Sequence, residues 1–88
     1  MLGNYPNPFN ANTNIAYNVY EETFVQLIIY DILGNQIKEL VNENQALGDR
    51  IVSWKGDTNN GEFVTSGVYI YNLKANGTEI SKKMILIK

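Results

Sequence analysis

Both prolines of this 88-residue chain lie one residue apart near its N-terminus, in the segment Asn4-Tyr5-Pro6-Asn7-Pro8-Phe9-Asn10. Each proline fixes φ and removes a backbone donor, and Pro8 also restricts Asn7 to extended conformations. The segment is therefore neither a helix nor a central strand. We expect residues 1–12 to form a stiff, extended arm, close to polyproline II, that leads into a domain spanning residues 13–88.

The composition excludes several kinds of chemistry. Without cysteine there are no disulfides or thiolate metal sites, and without histidine the usual general base and the commonest zinc ligand are missing. The net charge of −2 argues against a nucleic-acid partner, because phosphate binding needs a basic face. No stretch approaches the ~20 apolar residues of a membrane span. We expect one small monomeric domain without a cofactor.

Apolar and polar residues alternate along the chain with a period of two, which is typical of strands. The pattern predicts strands over residues 13–20, 23–31, 36–41, 50–55, 68–75 and 78–87, a short edge piece at 63–64 and a polar connection at 42–47. Seven short strands favour an all-β fold, an antiparallel β-sandwich of immunoglobulin-like architecture. A small barrel stays open, because a strand count does not distinguish two packed sheets from one closed sheet. The expected core anchors are Trp54, Tyr69, Tyr71 and Leu73.

Two loop sequences have both a chemical and a structural interpretation. Asn76-Gly77 is the strongest hairpin signal, since a type I′ turn requires positive φ at both central residues, although Asn76-Gly77-Thr78 also matches a glycosylation sequon. Asp57-Thr58-Asn59-Asn60-Gly61 resembles the start of a calcium loop, but Val68 stands where the bidentate glutamate belongs. We favour a turn in both places.

Neither the carboxylates nor the tyrosines predict an active site. Most carboxylates fall at strand ends or in loops, and a domain of this size has little room for a substrate cleft, so we predict that it is not an enzyme. Aromatic rings on a sandwich face bind sugars well, and a carbohydrate-binding surface stays open. The alternation nevertheless places several of the six tyrosines in the core.

Five segments, in this order and spacing, resemble the C-terminal sorting domain of the type IX secretion system. They are NYPNPFN at residues 4–10, VQLIIYDILG at 25–34, WKG at 54–56, SGVYIY at 66–71 and KKM at 82–84. The resemblance covers essentially the whole chain. The family often has a proline after Phe-Asn, where this chain has Ala11.

The resemblance implies a small immunoglobulin-like sandwich at the C-terminus of a larger exported protein, whose cargo domain precedes it. In that family an outer-membrane translocon recognises the domain after the cargo has reached the periplasm, and a sortase-like surface protease commonly removes it. The protein is then secreted or attached at the cell surface. The immunoglobulin-like domain of the flagellar hook-capping protein, an assembly module, is similar and remains the alternative.

The candidate partner-binding residues lie at the two ends of the chain. They are Tyr5, Pro6, Asn7, Pro8 and Phe9 in the arm, and Lys82, Lys83, Met84, Ile85 and Leu86 in the last strand. An edge strand presents unpaired backbone groups that another β-protein can extend, and natural proteins usually blunt it with charge. The two lysines therefore have two interpretations, as gatekeepers against aggregation or as an electrostatic contact with the translocon.

Overall fold

The computed structural model describes residues 2–88, which form seven strands and no helix. The strands are β1 (Gly3–Tyr5), β2 (Thr13–Val19), β3 (Thr23–Asp31), β4 (Gln36–Gln45), β5 (Gly48–Trp54), β6 (Gly67–Ala75) and β7 (Thr78–Leu86). They form a three-stranded sheet in the order β1-β2-β5 and a four-stranded sheet in the order β4-β3-β6-β7, with antiparallel neighbours throughout. The two sheets pack as a sandwich, which confirms the predicted fold class.

The core lies between the sheets and is centred on Trp54. This side chain is completely buried, with the ring of Phe9 5.7 Å away on one side and the ring of Tyr69 5.4 Å away on another. Its indole Nε1–H donates to the carbonyl of Asp57 at 2.9 Å, so burial leaves no polar atom of the ring unpaired. All four expected core anchors are buried: Trp54, Tyr69, Tyr71 and Leu73.

The alternation in β2 and β3 assigns their faces as expected. Ile15, Tyr17 and Val19 point into the core from β2, and Val25, Leu27 and Ile29 do so from β3. The prediction that 42–47 is a connection was wrong, because β4 continues to Gln45 and pairs with β3 as far as Thr23. Exposed polar side chains hide an edge strand from a search for alternation, since the backbone ladder does not require apolar residues.

Two further elements differ from the expected strands. The piece at 63–64 contributes only an isolated bridge between Asp57 and Phe63. The seventh strand is instead β1, inside the arm, where Gly3–Tyr5 pairs with β2. Pro6 and Pro8 lie beyond the end of β1, so neither occupies a position that must donate to the ladder. The chain bends at residues 6–8, so the prediction of an extended arm close to polyproline II was wrong at the prolines.

Two turns follow their local sequence. Asn76 and Gly77 have φ of 56° and 77°, as the predicted hairpin between β6 and β7 requires. In the β3–β4 turn the carboxylate of Asp31 accepts hydrogen bonds from the backbone N–H groups of Leu33 and Asn35, both at 2.9 Å, and from the side-chain amide of Asn35 at 3.0 Å. These bonds, led by those from Asn35, hold the pKa of Asp31 below its ordinary value.

Replacing the central indole tests the core. We expect Trp54→Ala to lower the free energy of unfolding by about 3 to 5 kcal/mol, because it removes the most buried aromatic ring and leaves a cavity. Ile51→Ala is the matched control on the same strand, since the Ile51 side chain is 72% exposed. Urea denaturation of both variants measures the difference, and equal losses would contradict the central role of Trp54.

The Asp31 turn predicts a pH dependence. A carboxyl group with a lowered folded-state pKa adds stability above its unfolded pKa, near 3.8, and that stability is lost as the pH falls through the folded value. We therefore expect the stability difference between the wild type and Asp31→Ala to shrink as the pH is lowered below about 4. Urea denaturation across this range measures it, and a constant difference would mean that the ionised carboxylate does not stabilise the turn.

Candidate functional site

The two groups of candidate residues meet along one edge of the sandwich. After β1 the arm crosses to the four-stranded sheet, where Phe9 forms a parallel bridge with β7. The N–H of Phe9 donates to the carbonyl of Ile85 at 2.9 Å, and the N–H of Ile87 donates to the carbonyl of Phe9 at 2.8 Å. Asn7 Oδ1 accepts the N–H of Ile85 at 3.0 Å. We call these paired segments, residues 2–9 and 82–87, the terminal clasp.

Asn4 fixes the arm before it reaches the prolines. Its Oδ1 accepts the hydroxyl of Tyr71 at 3.0 Å, and its Nδ2 donates to Oγ1 of Thr13 at 3.2 Å. The Thr13 hydroxyl in turn donates to the carbonyl of Pro6 at 2.8 Å. Burial raises the pKa of the Tyr71 phenol, which keeps it protonated as the donor in this network. Asn4 and Pro6 of the motif thus take part in hydrogen bonds that connect the arm to β2 and β6.

The candidate residues divide into a buried and an exposed set. Phe9, Met84 and Leu86 are 2%, 0% and 1% exposed and belong to the core. The side chains that are exposed at the surface of the clasp are Tyr5, Pro6, Asn7, Pro8, Lys82, Lys83 and Ile85. Direct contact with a partner is open to the exposed set, whereas the buried set positions the backbone that carries it.

The two adjacent lysines point to opposite faces of β7. Lys82 lies opposite Tyr71 on the core-facing side, and its Nζ donates to the carbonyl of Leu2 at 2.5 Å. Lys83 lies opposite Ile70 on the outer face. The side chain of Lys82 therefore links β7 to the start of the arm, whereas the charged side chain of Lys83 is exposed on the outer face. Successive residues of a strand alternate in direction, so the sequence already contained this signal.

Apolar side chains surround Lys83 on the outer face of the four-stranded sheet. Val68 and Ile85 are paired neighbours and are 38% and 42% exposed. Ile70 lies between Lys83 and Tyr30 in the sheet register, and Ile70 and Tyr30 are both half-buried. A positive charge beside an apolar patch at a sheet edge is a candidate surface for a protein partner.

The loop that resembled a calcium site is occupied by its own hydrogen bonds. Asp57 is buried and its Oδ2 forms an ion pair with Nζ of Lys38 at 3.0 Å. Thr58 Oγ1 accepts the backbone N–H groups of Asn60 and Glu62, both at 3.2 Å. The side-chain oxygens thus fold the turn, which is the structural interpretation favoured from the sequence.

The tyrosines do not form one sugar-binding platform. Tyr17, Tyr69 and Tyr71 are buried in the core. Tyr5 and Tyr20 are 81% and 78% exposed, but Tyr5 lies beside Asn14, six residues along the chain from Tyr20. Six residues of extended strand correspond to roughly 20 Å, which is too far for one sugar ring to contact both side chains.

The clasp can be weakened at one side chain. Asn7→Ala removes the acceptor for the Ile85 N–H, and we expect a loss of about 1 kcal/mol in stability together with faster hydrogen exchange at that amide. Asn10→Ala is the control, because Asn10 is exposed in the same arm. Amide exchange measured by NMR reports on both, and unchanged protection of Ile85 in Asn7→Ala would show that the side chain does not hold the strand.

Comparison with known proteins gives one match. No curated protein and no solved structure matches the chain significantly. The family model described as "Secretion system C-terminal sorting domain" matches residues 4–88, which include residues 4–9 and 82–87 of the terminal clasp and all the strands from β2 to β7. No helix among residues 2–88 is long and apolar enough to cross a membrane. The chain therefore belongs to the family of C-terminal sorting domains of the type IX secretion system, which direct proteins to the cell surface or into the medium.

Proposed function

We propose that the outer-membrane translocon recognises this domain on the exposed edge formed by the terminal clasp. The observation that supports the proposal is the pairing of the two end motifs, which join by main-chain hydrogen bonds between Phe9 and β7. A partner that binds this edge contacts the N-terminal and the C-terminal motif of the domain at the same time. Recognition then depends on the folded state, because the two motifs are neighbours only when the sandwich is complete.

Lys83 is the charged residue best placed to contact the translocon. It is exposed on the outer face, next to the apolar side chains of Ile70 and Ile85, whereas the ammonium group of Lys82 is held by the carbonyl of Leu2. A charge at the rim of an apolar contact mainly increases the association rate and selects the partner. The apolar neighbours supply the buried area.

The domain acts as a label rather than as a catalyst. The four buried polar residues among residues 2–88 each have a structural partner: Thr13 with the carbonyl of Pro6, Gln45 with the hydroxyl of Tyr17, Asp57 with Lys38, and Asn72 with Ser81. These groups stabilise strand pairs and turns. Their hydrogen bonds support a role in which the domain is recognised and removed by other proteins.

We infer that the sortase-like protease separates the domain from its cargo upstream of the clasp. A protease needs an accessible, extended segment in its active site. Residues 3–9 are unsuited, because β1 pairs with β2 and Phe9 pairs with β7. Cleavage before this segment leaves the folded domain intact.

A fusion tests the sorting function. The domain, placed behind a signal peptide and a fluorescent cargo, is expected to bring that cargo to the surface of a host that has a type IX system. The same fusion in a strain without the translocon is the control. Fluorescence that stays in the periplasm of both strains would favour an assembly module of the hook-capping type.

Single lysine substitutions test the recognition surface. We expect Lys83→Gln to reduce surface delivery while the thermal midpoint stays nearly constant, since exposed substitutions change stability by less than about 0.5 kcal/mol. Lys82→Gln should instead lower the midpoint, because it loses the bond to Leu2. The matched control is Lys55→Gln, an exposed lysine just after β5. Normal delivery of Lys83→Gln would assign this lysine to gatekeeping.

A further inference from the structure

The sheet edges of the sandwich differ in how well they are protected. The edge of β4 is covered at Ile37 and Glu39 by the backbone and side chain of Asn59, and two register shifts interrupt its pairing with β3. The edges of the three-stranded sheet are β1, with only three residues, and β5, with seven. The edge of β7 has nine residues, and its pairing with β6 is regular from end to end. Irregular, short or covered edges resist pairing with another chain, and a long regular edge invites it.

Half of the β7 edge remains open. Ile85 directs its N–H and carbonyl toward the arm, and residues two apart in an antiparallel strand point their backbone groups the same way. Glu79, Ser81 and Lys83 therefore point theirs outward. Among residues 2–88, β7 has only two backbone partners, β6 and Phe9. The backbone of Phe9 already bonds to this edge, and the open part continues directly from that contact.

The charged side chains on the open part of β7 complement those of a second, antiparallel copy of the same segment. Glu79, Ser81 and Lys83 alternate along the outer face, with opposite charges at equal distances from Ser81. An antiparallel copy centred on Ser81 places each Glu79 opposite the other copy's Lys83. Opposite charges directly across an antiparallel pair stabilise it, and the paired Cβ atoms are about 5 Å apart. On the inner face Ile80 comes opposite the other copy's Lys82, so no like charges meet.

We propose that two copies of this chain pair through their β7 strands and form a continuous eight-stranded sheet across a twofold axis. The interface is isologous, because each copy contributes the same segment. The arm limits it, since Asn7 and Phe9 already occupy the edge at Ile85. Pairing therefore covers residues 78–84.

Two features set the strength of this dimer. Seven residues of strand pairing bury less than the ~1,200 to 2,000 Å² of a stable interface, so the dimer is weak and dissociates to the expected monomer on dilution. Glu79 also has partners within its own copy, since its Oε1 accepts Nδ2 of Asn72 at 3.3 Å and its Oε2 lies 3.8 Å from Nζ of Lys74. Both contacts keep the carboxylate on the outer face. The Glu79 side chain remains 56% exposed, so it can form a second ion pair with a lysine of the other copy.

A charge swap tests the pairing. Sedimentation velocity of the chain from about 10 µM to about 1 mM should show a monomer–dimer equilibrium. In a dimer of Lys83→Glu chains, both pairs between positions 79 and 83 consist of two carboxylates. We expect this repulsion to raise the dissociation constant about tenfold or more. Combining it with Glu79→Lys restores opposite charges and should restore the dimer. Lys55→Glu, with the same change in net charge away from β7, should leave the equilibrium unchanged.

Hydrogen exchange locates the interface independently. The amides of Glu79, Ser81 and Lys83 should exchange more slowly as the concentration rises, while those of Thr78 and Ile80, which face β6, should not change. A chain that stays monomeric up to about 1 mM would overturn the proposal and leave the edge for a strand of another protein. A dimer whose dissociation constant is unchanged by Lys83→Glu, or in which these three amides are not protected, would also overturn the proposal, because the interface would then lie elsewhere.

Discussion

The pairing of Phe9 with the last strand is the interaction on which the rest of the structure depends. Its backbone bonds to Ile85 and Ile87, and its ring packs against Trp54 at the centre of the core. The arm belongs to the three-stranded sheet through β1 and to the four-stranded sheet through this residue. One short segment thus ties the two sheets together and covers the C-terminal part of the β7 edge. A domain of 88 residues buries only a modest core, and Phe9 adds main-chain hydrogen bonds and an aromatic contact to it.

The clasp also explains why a motif rich in proline and asparagine opens the domain. The chain bends at residues 6–8 where it crosses between the sheets, and the amides of Asn4 and Asn7 supply hydrogen bonds that the proline nitrogens cannot make. The proposed recognition surface is a property of the folded domain, because both ends of the chain lie in one hydrogen-bonded unit.

Much of the fold was predictable because it depends on neighbours in sequence. Alternation assigned the inward faces of β2 and β3, and the conformational freedom of Asn76-Gly77 placed the hairpin. The end of β4 was missed because its side chains are polar on an exposed edge, where only the backbone ladder with β3 defines the strand. The sequence predicted which residues form the candidate site, but it did not predict which of their side chains are exposed to a partner. Phe9, Met84 and Leu86 are buried, although they belong to the same motifs as exposed residues.

The amino-acid sequence alone was enough to predict the inward faces of β2 and β3, the turns, the core anchors and the resemblance of the two ends to a sorting signal. These properties follow from periods of two residues and from turn chemistry, which act over short distances along the chain. Only the tertiary structure decided that Asn7 meets Ile85, that Lys82 closes onto Leu2 and that Lys83 stays outside. Those contacts join residues about 80 positions apart. They form because two sheets must pack face to face around Trp54, a condition that no local pattern expresses.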